Sequence, residues 1–334
     1  MKHSKIISYS LLLIGILVLI VFIKSLSLES IIITFSNVKI YEILVIITIT
    51  ILTIIIKSYR WKFLVKKTTN QKISNWFSFT SIIAGIAAGS ITPSRAGEVA
   101  KPFMLKTNYG TDISKTISCV FSERGFDLLS LIIFFFIGLL FLRIESNSYN
   151  FAKAILIILF ILIISILFLF PKKFNNLTNI LIKKFSPERI KEKLLNINYN
   201  IFSGFYILNN KKVLLVVSVT SIISMILEMI RLYFIFNIFS LNVNFWIVMF
   251  AFSASIVFGI LTMIPGGIGT TEVSQAIIIT NLLPNLKEID LLKGAIILDR
   301  FFAYYLLTGI GAVLLILGQR KKLKRSVLKI ENEA

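Results

Sequence analysis

Residues 90–106, SITPSRAGEVAKPFMLK, interrupt a chain that otherwise reads as membrane. Pro93 removes a backbone donor and Gly97 loosens the backbone, so a helix entering this stretch breaks. Arg95, Glu98 and Lys101 put charge between apolar runs. Residues 263–272, MIPGGIGTTE, repeat the ingredients: Pro265, then Gly266, Gly267 and Gly269, then Glu272. The two breaks are read as halves of one site.

The chain around them has 334 residues, 56% of them hydrophobic, and its apolar runs recur at lengths a soluble core does not need. Runs of about 20 apolar residues are transmembrane helices, so the expected fold is an all-α polytopic membrane protein. Six runs are expected to cross: Ile6–Ile23, Tyr41–Ile56, Ile113–Leu142, Ala154–Phe170, Val213–Ser240 and Leu291–Leu317. The first has no small-residue cleavage site after it and reads as a retained helix. Trp76–Lys106 and Phe245–Leu283 are expected to be re-entrant, because a broken backbone is tolerated at membrane depth only where it faces protein or water. Pro187–Leu208 carries Ile190, Leu194, Ile197, Ile201, Phe205 and Leu208 at helical spacing and reads as a surface amphipathic helix.

The net charge of +20 is concentrated beside apolar runs. Lys57–Lys72 holds six basic residues and no acid, and residues 171–212 and 319–334 are also strongly basic. This is the positive-inside pattern. It places both termini in the cytoplasm of a plasma-membrane protein and argues against nucleic-acid binding. With Cys119 and His3 alone of their kinds, neither a disulfide framework nor a zinc site is expected. No metal or other cofactor is implied.

An internal repeat organises residues 1–318 as one transmembrane unit, with residues 319–334 as a basic tail. The first copy, about 41–142, reads Arg60, Pro93, Gly97, Glu98 and the pair Glu123–Arg124. The second, about 213–317, reads Arg231, Pro265, Gly269, Glu272 and the pair Asp299–Arg300, and residues 171–212 form the linker. Arginine-to-proline spacings are 33 and 34, and glutamate to acid–arginine pair is 25 and 27. The first copy starts on a helix entering the cytoplasm and the second on one leaving it. Inverted repeats around broken helices are the architecture of transporters with a site at the repeat interface, so Pro93 and Pro265 are expected to approach each other near the midplane.

Eleven charged residues lie within or beside the apolar runs: Arg95, Glu98, Lys101, Glu123, Arg124, Asp127, Glu228, Arg231, Glu272, Asp299 and Arg300. Unpaired, they would cost about 30 kcal/mol on the insertion scale, more than the ~5–15 kcal/mol stability of a domain. They must pair, reach an interface or line water. Glu123, Arg124, Asp299 and Arg300 are open to a plain reading as salt bridges. The breaks point further: helix N-termini near Ala96 and Thr270 would offer free amides to a phosphate, with Arg95, Arg124 or Arg300 as anion clamps. Glu98 and Glu272 would hold a lipid cation or a coupling proton or ion. The candidate binding set is Arg95, Glu98, Glu123, Arg124, Arg231, Glu272, Asp299 and Arg300. Gly267 stands where the first copy has Arg95, so cationic recognition is weighted to the first break.

SITPSRAGEVAKPFML, SERGFD, IPGGIGTTE and the later DRFFAYYL resemble the lysylphosphatidylglycerol synthase transmembrane (flippase-like) family over nearly the whole chain. The resemblance implies a polytopic lipid-handling domain, in some relatives an aminoacyl-lipid flippase and in others a partner of glycosyl-lipid pathways. Aminoacyl-lipid synthases carry a soluble catalytic domain after the last helix, where this chain has a short basic tail, so synthase activity is not expected. Three functions remain: a flippase for an anionic phospholipid or polyprenyl-phosphate headgroup, a non-transporting partner of a lipid- or glycan-modifying enzyme, and an integral-membrane glycosyl- or acyltransferase. The single His and short outer loops weigh against the last, and no catalytic residue is assigned. Arg124→Ala and Arg300→Ala are expected to abolish headgroup transfer without preventing insertion.

Overall fold

A computed structural model describes residues 38–142, 171–185 and 210–317, with scattered residues of 13–36 and 188–199. The expected spans Ile6–Ile23 and Ala154–Phe170, most of the amphipathic segment Pro187–Leu208 and the basic tail lie outside the described residues. Among the described residues every regular element is helical.

Helix α1, Ile40–Thr69, starts where Glu42 accepts from the Lys39 amide and stops at Asn70, whose φ of 55° is left-handed. At 30 residues it is about 45 Å long, more than enough to cross a bilayer. The expected helix ended at Ile56, because Lys57 and Arg60 read as the start of a basic loop. Instead the helix continues, and Arg60 is buried inside it. Helix α2, Asn75–Ser90, is capped by the Ser74 hydroxyl. A tight 3-10 turn, Pro93–Val99, leads into α3, Ala100–Tyr109, which ends at Gly110. At 16 and 10 residues, α2 and α3 are about 24 and 15 Å long, too short to cross. They form a closed hairpin. The Tyr109 ring at the end of α3 meets Phe77 at the start of α2, with centroids 4.9 Å apart, and the Ser74 amide donates to the Tyr109 hydroxyl.

Helix α4, Ile113–Phe141, is capped by Asp112 and spans. Helix α5, Pro171–Phe185, is amphipathic; the expected amphipathic stretch began two residues after it ends. Helix α6, Lys211–Ile238, is capped by Asn210 and spans. A second hairpin follows: α7, Phe245–Leu261, capped by Asn244, a turn at Pro265–Gly267, and α8, Thr270–Leu282. Helix α9, Ile289–Leu317, spans with a π-turn at Phe301–Tyr305.

The packing shows that the hairpins point in opposite directions. One apolar cluster joins Trp61 and Leu64 of α1, Ile82 of α2, Leu105 of α3, Cys119 of α4, Val217 of α6 and Leu307 of α9. A second joins Ile46, Phe134, Ile235, Val248, Ile279 and Leu292. Along α4 the two are separated by Glu123, Arg124 and Asp127. The base of the first hairpin lies in one cluster and that of the second in the other, while their tips touch at the Pro93–Val99 and Pro265–Gly267 turns. The two units are therefore inverted copies of one plan: spanning helix, re-entrant hairpin, spanning helix.

The last helix of each copy leans on the hairpin of the other. Gly138 of α4 lies against the Phe250 backbone of α7, and Gly311 of α9 against the Ile83 carbonyl and Ala87 of α2. A Cβ at either place would collide with backbone. Gly138→Val and Gly311→Val are each expected to lower the thermal midpoint in detergent through overpacking of roughly 1–3 kcal/mol; Gly309→Val, where nothing stands nearby, is the control that should leave it unchanged.

Candidate functional site

Both breaks use left-handed backbone at the same place. Arg95, two residues after Pro93, has φ 59°, and Gly267, two residues after Pro265, has φ 65°. A non-glycine residue in that region is strained, and Arg95 is held there with its guanidinium over the Tyr304 ring, 5.3 Å from the centroid. Gly266, at φ 67°, leaves room for the Tyr304 hydroxyl, which a Cβ would overlap. At the first break the Gly97 amide donates to Thr92 Oγ1 at 2.6 Å, and a Cβ on Gly97 would strike the Ala88 carbonyl. Helix α8 begins at Thr270, as expected. The first break instead makes a 3-10 turn, and its α-helix begins at Ala100 rather than near Ala96.

The charges pair by one rule in both copies. The arginine of the first helix bonds the acid of the acid–arginine pair: Arg60 Nε donates to Glu123 at 3.4 Å, and Arg231 Nε to Asp299 at 2.7 Å. The arginine of the pair bonds the hairpin glutamate: Arg124 holds Glu98, and Arg300 Nε donates to Glu272 Oε1 at 2.8 Å. All of these residues except the half-buried Arg124 are buried. At that depth a charge persists only when paired and hydrogen-bonded.

The first copy carries more. Arg60 makes a forked contact with Asp127, at 2.6 and 3.1 Å, and also donates to Ser221. Lys101 Nζ bonds Glu123 at 2.6 Å and lies over the Trp61 ring, its stem against Gly85. The places matching Lys101 and Asp127 in the second copy are Gln275 and Ala303. In that copy Glu272 gains the Tyr305 hydroxyl, which donates at 2.6 Å. Lys57 and Glu228, three residues before Arg60 and Arg231, bond each other at 2.5 Å across the copies.

These groups surround a cavity of about 380 Å³ between the two copies, walled on its apolar side by residues such as Ile86, Leu131, Phe252 and Ile256. The structure brings seven of the eight sequence-derived residues to its wall: Arg95, Glu98, Glu123, Arg124, Arg231, Asp299 and Arg300. Glu272 stands behind Arg300, fully buried. Two expected roles are altered. Arg124 and Arg300 are not free clamps, because each is taken by a carboxylate, and Glu98 and Glu272 already hold those arginines. Sequence reasoning placed Lys57 and Arg60 in a loop and overlooked Gln275 and Tyr304. The signal for the first two was their spacing of three, one helical turn; Tyr304 lay in the DRFFAYYL motif.

A polytopic membrane protein built of two inverted copies around a charged cavity is the class that fold and site define. The chain belongs to the family described as the lysylphosphatidylglycerol synthase TM region, whose model matches residues 7–311. It is similar to the UPF0104 membrane protein PH1989 of Pyrococcus horikoshii, 28% identical across 95% of this chain and 99% of that one. The UPF0104 membrane protein MJ1078 of Methanocaldococcus jannaschii is 28% identical across 70% of this chain and 95% of its own length. A UPF0104 membrane protein of Methanothermobacter thermautotrophicus is 25% identical over 77% of this chain and 78% of that one.

Proposed function

We propose that the protein moves the anionic headgroup of a membrane lipid through the cavity between its two copies, the acyl or prenyl tails staying in the bilayer. The observation that carries this reading is the meeting of two oppositely directed re-entrant tips at a cavity lined by charge. A volume of about 380 Å³ is that of a small-molecule site: room for a headgroup, not for a whole lipid. In this reading the protein sits in the plasma membrane with both termini cytoplasmic, as the basic flanks favour. The site positions and exchanges a ligand and performs no covalent step.

The test is the purified protein in liposomes carrying phosphatidylglycerol with its native headgroup and a fluorophore on a short acyl chain, with a membrane-impermeant quencher outside. Quenching of the inner-leaflet pool faster than in protein-free liposomes is expected. Equal rates would remove the transport reading and leave that of a partner for a lipid-modifying enzyme, which pull-down from the native membrane would then address.

A further inference from the structure

Helix α5 contributes nothing to the cavity wall, and its packing is the reverse of that of an amphipathic helix on a soluble protein. Asn198 is buried against it, and Asn198 Nδ2 donates to Thr178 Oγ1 at 3.0 Å and to Asn179 Oδ1 at 2.9 Å. The polar side of the helix is thus the covered one. At 3.6 residues per turn Ile180 falls nearly opposite the contact made by Thr178 and Asn179. Ile180 and Leu181 are 60% and 46% exposed.

Charge and chain connectivity say what covers this face. The helix carries Lys172, Lys173, Lys183 and Lys184 and no acid, and Lys183 and Lys184 are exposed in its last turn. Both stand one turn beyond Ile180, on the same side of the helix. Pro171 follows directly on the expected span Ala154–Phe170, and α6 begins a spanning helix at Lys211, so α5 leaves from the bilayer surface. An apolar face edged by lysines at that level suits the boundary between headgroups and acyl chains, where long lysine stems lie along hydrocarbon and their ammonium groups reach anionic headgroups.

We propose that α5 docks its Ile180–Leu181 face into the membrane surface, with Lys183 and Lys184 meeting negatively charged headgroups. The site is separate from the cavity, and its partner is an anionic bilayer surface. It does not depend on the transport reading.

The experiment uses the full chain in nanodiscs holding one copy each, with Ile180→Cys or Leu181→Cys carrying an environment-sensitive fluorophore. Cys119 is the native cysteine and is buried, so the unsubstituted chain gives the labelling background. The discs are phosphatidylcholine with or without phosphatidylglycerol, and quenching by a nitroxide on the lipid acyl chain is compared with quenching by aqueous iodide. The nitroxide is expected to dominate in discs with phosphatidylglycerol. The ratio of docked to undocked helix should rise at least about ten-fold on adding that lipid, as two lysines near an anionic surface allow. Reversal of both, Lys183→Glu with Lys184→Glu, should abolish the rise, and so should high salt on the chain with both lysines, which needs no change of sequence in α5 beyond the label. Dominant iodide quenching in both lipid compositions overturns the proposal. So does nitroxide quenching that ignores phosphatidylglycerol, salt and the reversal alike, or protection that appears only in discs holding two copies, which would make the face an interface between copies.

Discussion

Arg300→Ala should destabilise the protein by about 3–5 kcal/mol, the range for removing one partner of a buried ion pair. The Glu272 side chain is 0% exposed. Its Oε1 accepts from Arg300 and Tyr305, while Oε2 has no partner among the described residues. Without the guanidinium, a carboxylate would remain in a dry site with one hydroxyl to hold it. The double replacement Arg300→Ala with Glu272→Ala removes both charges and should recover most of the loss. Arg124→Ala should cost less than half as much, because the Arg124 side chain is 31% exposed and Glu98 retains Lys101 at 3.6 Å. Thermal unfolding in detergent measures all three, with a drop for Arg300→Ala on the order of 5–10 °C. Equal midpoints for the two single variants would show that their pairs do not differ in burial as described. The comparison also governs how a transport assay is read: Arg300→Ala alone would register lost stability as lost binding, and the double variant separates them.

Much of this arrangement could be read from residue order. The spacing of Arg60, Pro93, Glu98 and Arg124 against Arg231, Pro265, Glu272 and Arg300 marked the inverted copies, and the proline and glycine breaks marked the hairpin tips. The apolar runs could not separate spanning from re-entrant segments, because a hairpin arm buried against protein is as apolar as a helix in lipid. Helix length resolved it: α2 and α3 are too short to cross. Local charge misled at α1. Lys57 and Arg60 follow an apolar run as a cytoplasmic flank does, and their partners, Glu228, Asp127 and Glu123, lie more than sixty positions away. Long-range pairing of this kind leaves no local trace. For the same reason the sequence counted five basic against six acidic groups, whereas the folded site adds Lys57 and Arg60 and reverses the balance. Gln275 and Tyr304 were illegible as well. Neither stands out in its helix by charge or spacing, and only packing shows that its donor is buried without a partner among the described residues.

Lys57→Glu should be among the most damaging single replacements outside the breaks. Lys57 and Glu228 stand at matching places, three residues before the arginine that opens each copy, yet they bond each other. Two residues related by the inversion meet only where its pseudo-two-fold axis passes between them. Lys57→Glu would set two carboxylates face to face, with side chains only 21% and 18% exposed, and like-charge juxtaposition in such a place costs several kcal/mol. The exchange Lys57→Glu with Glu228→Lys rebuilds the pair with its ends reversed and should recover more than half of that loss. Recovery is incomplete because the two ends differ: a lysine at 228 is one turn from Arg231, whereas Lys57 is one turn from an Arg60 already saturated by Asp127. The residual deficit therefore measures the asymmetry between the copies, and thermal midpoints of the two singles and the double give it directly. A double variant no better than Lys57→Glu would place the pair off the axis. If the copies trade environments during transport, a contact on the axis is the one both states share, so the exchanged protein should still move lipid while Lys57→Glu does not.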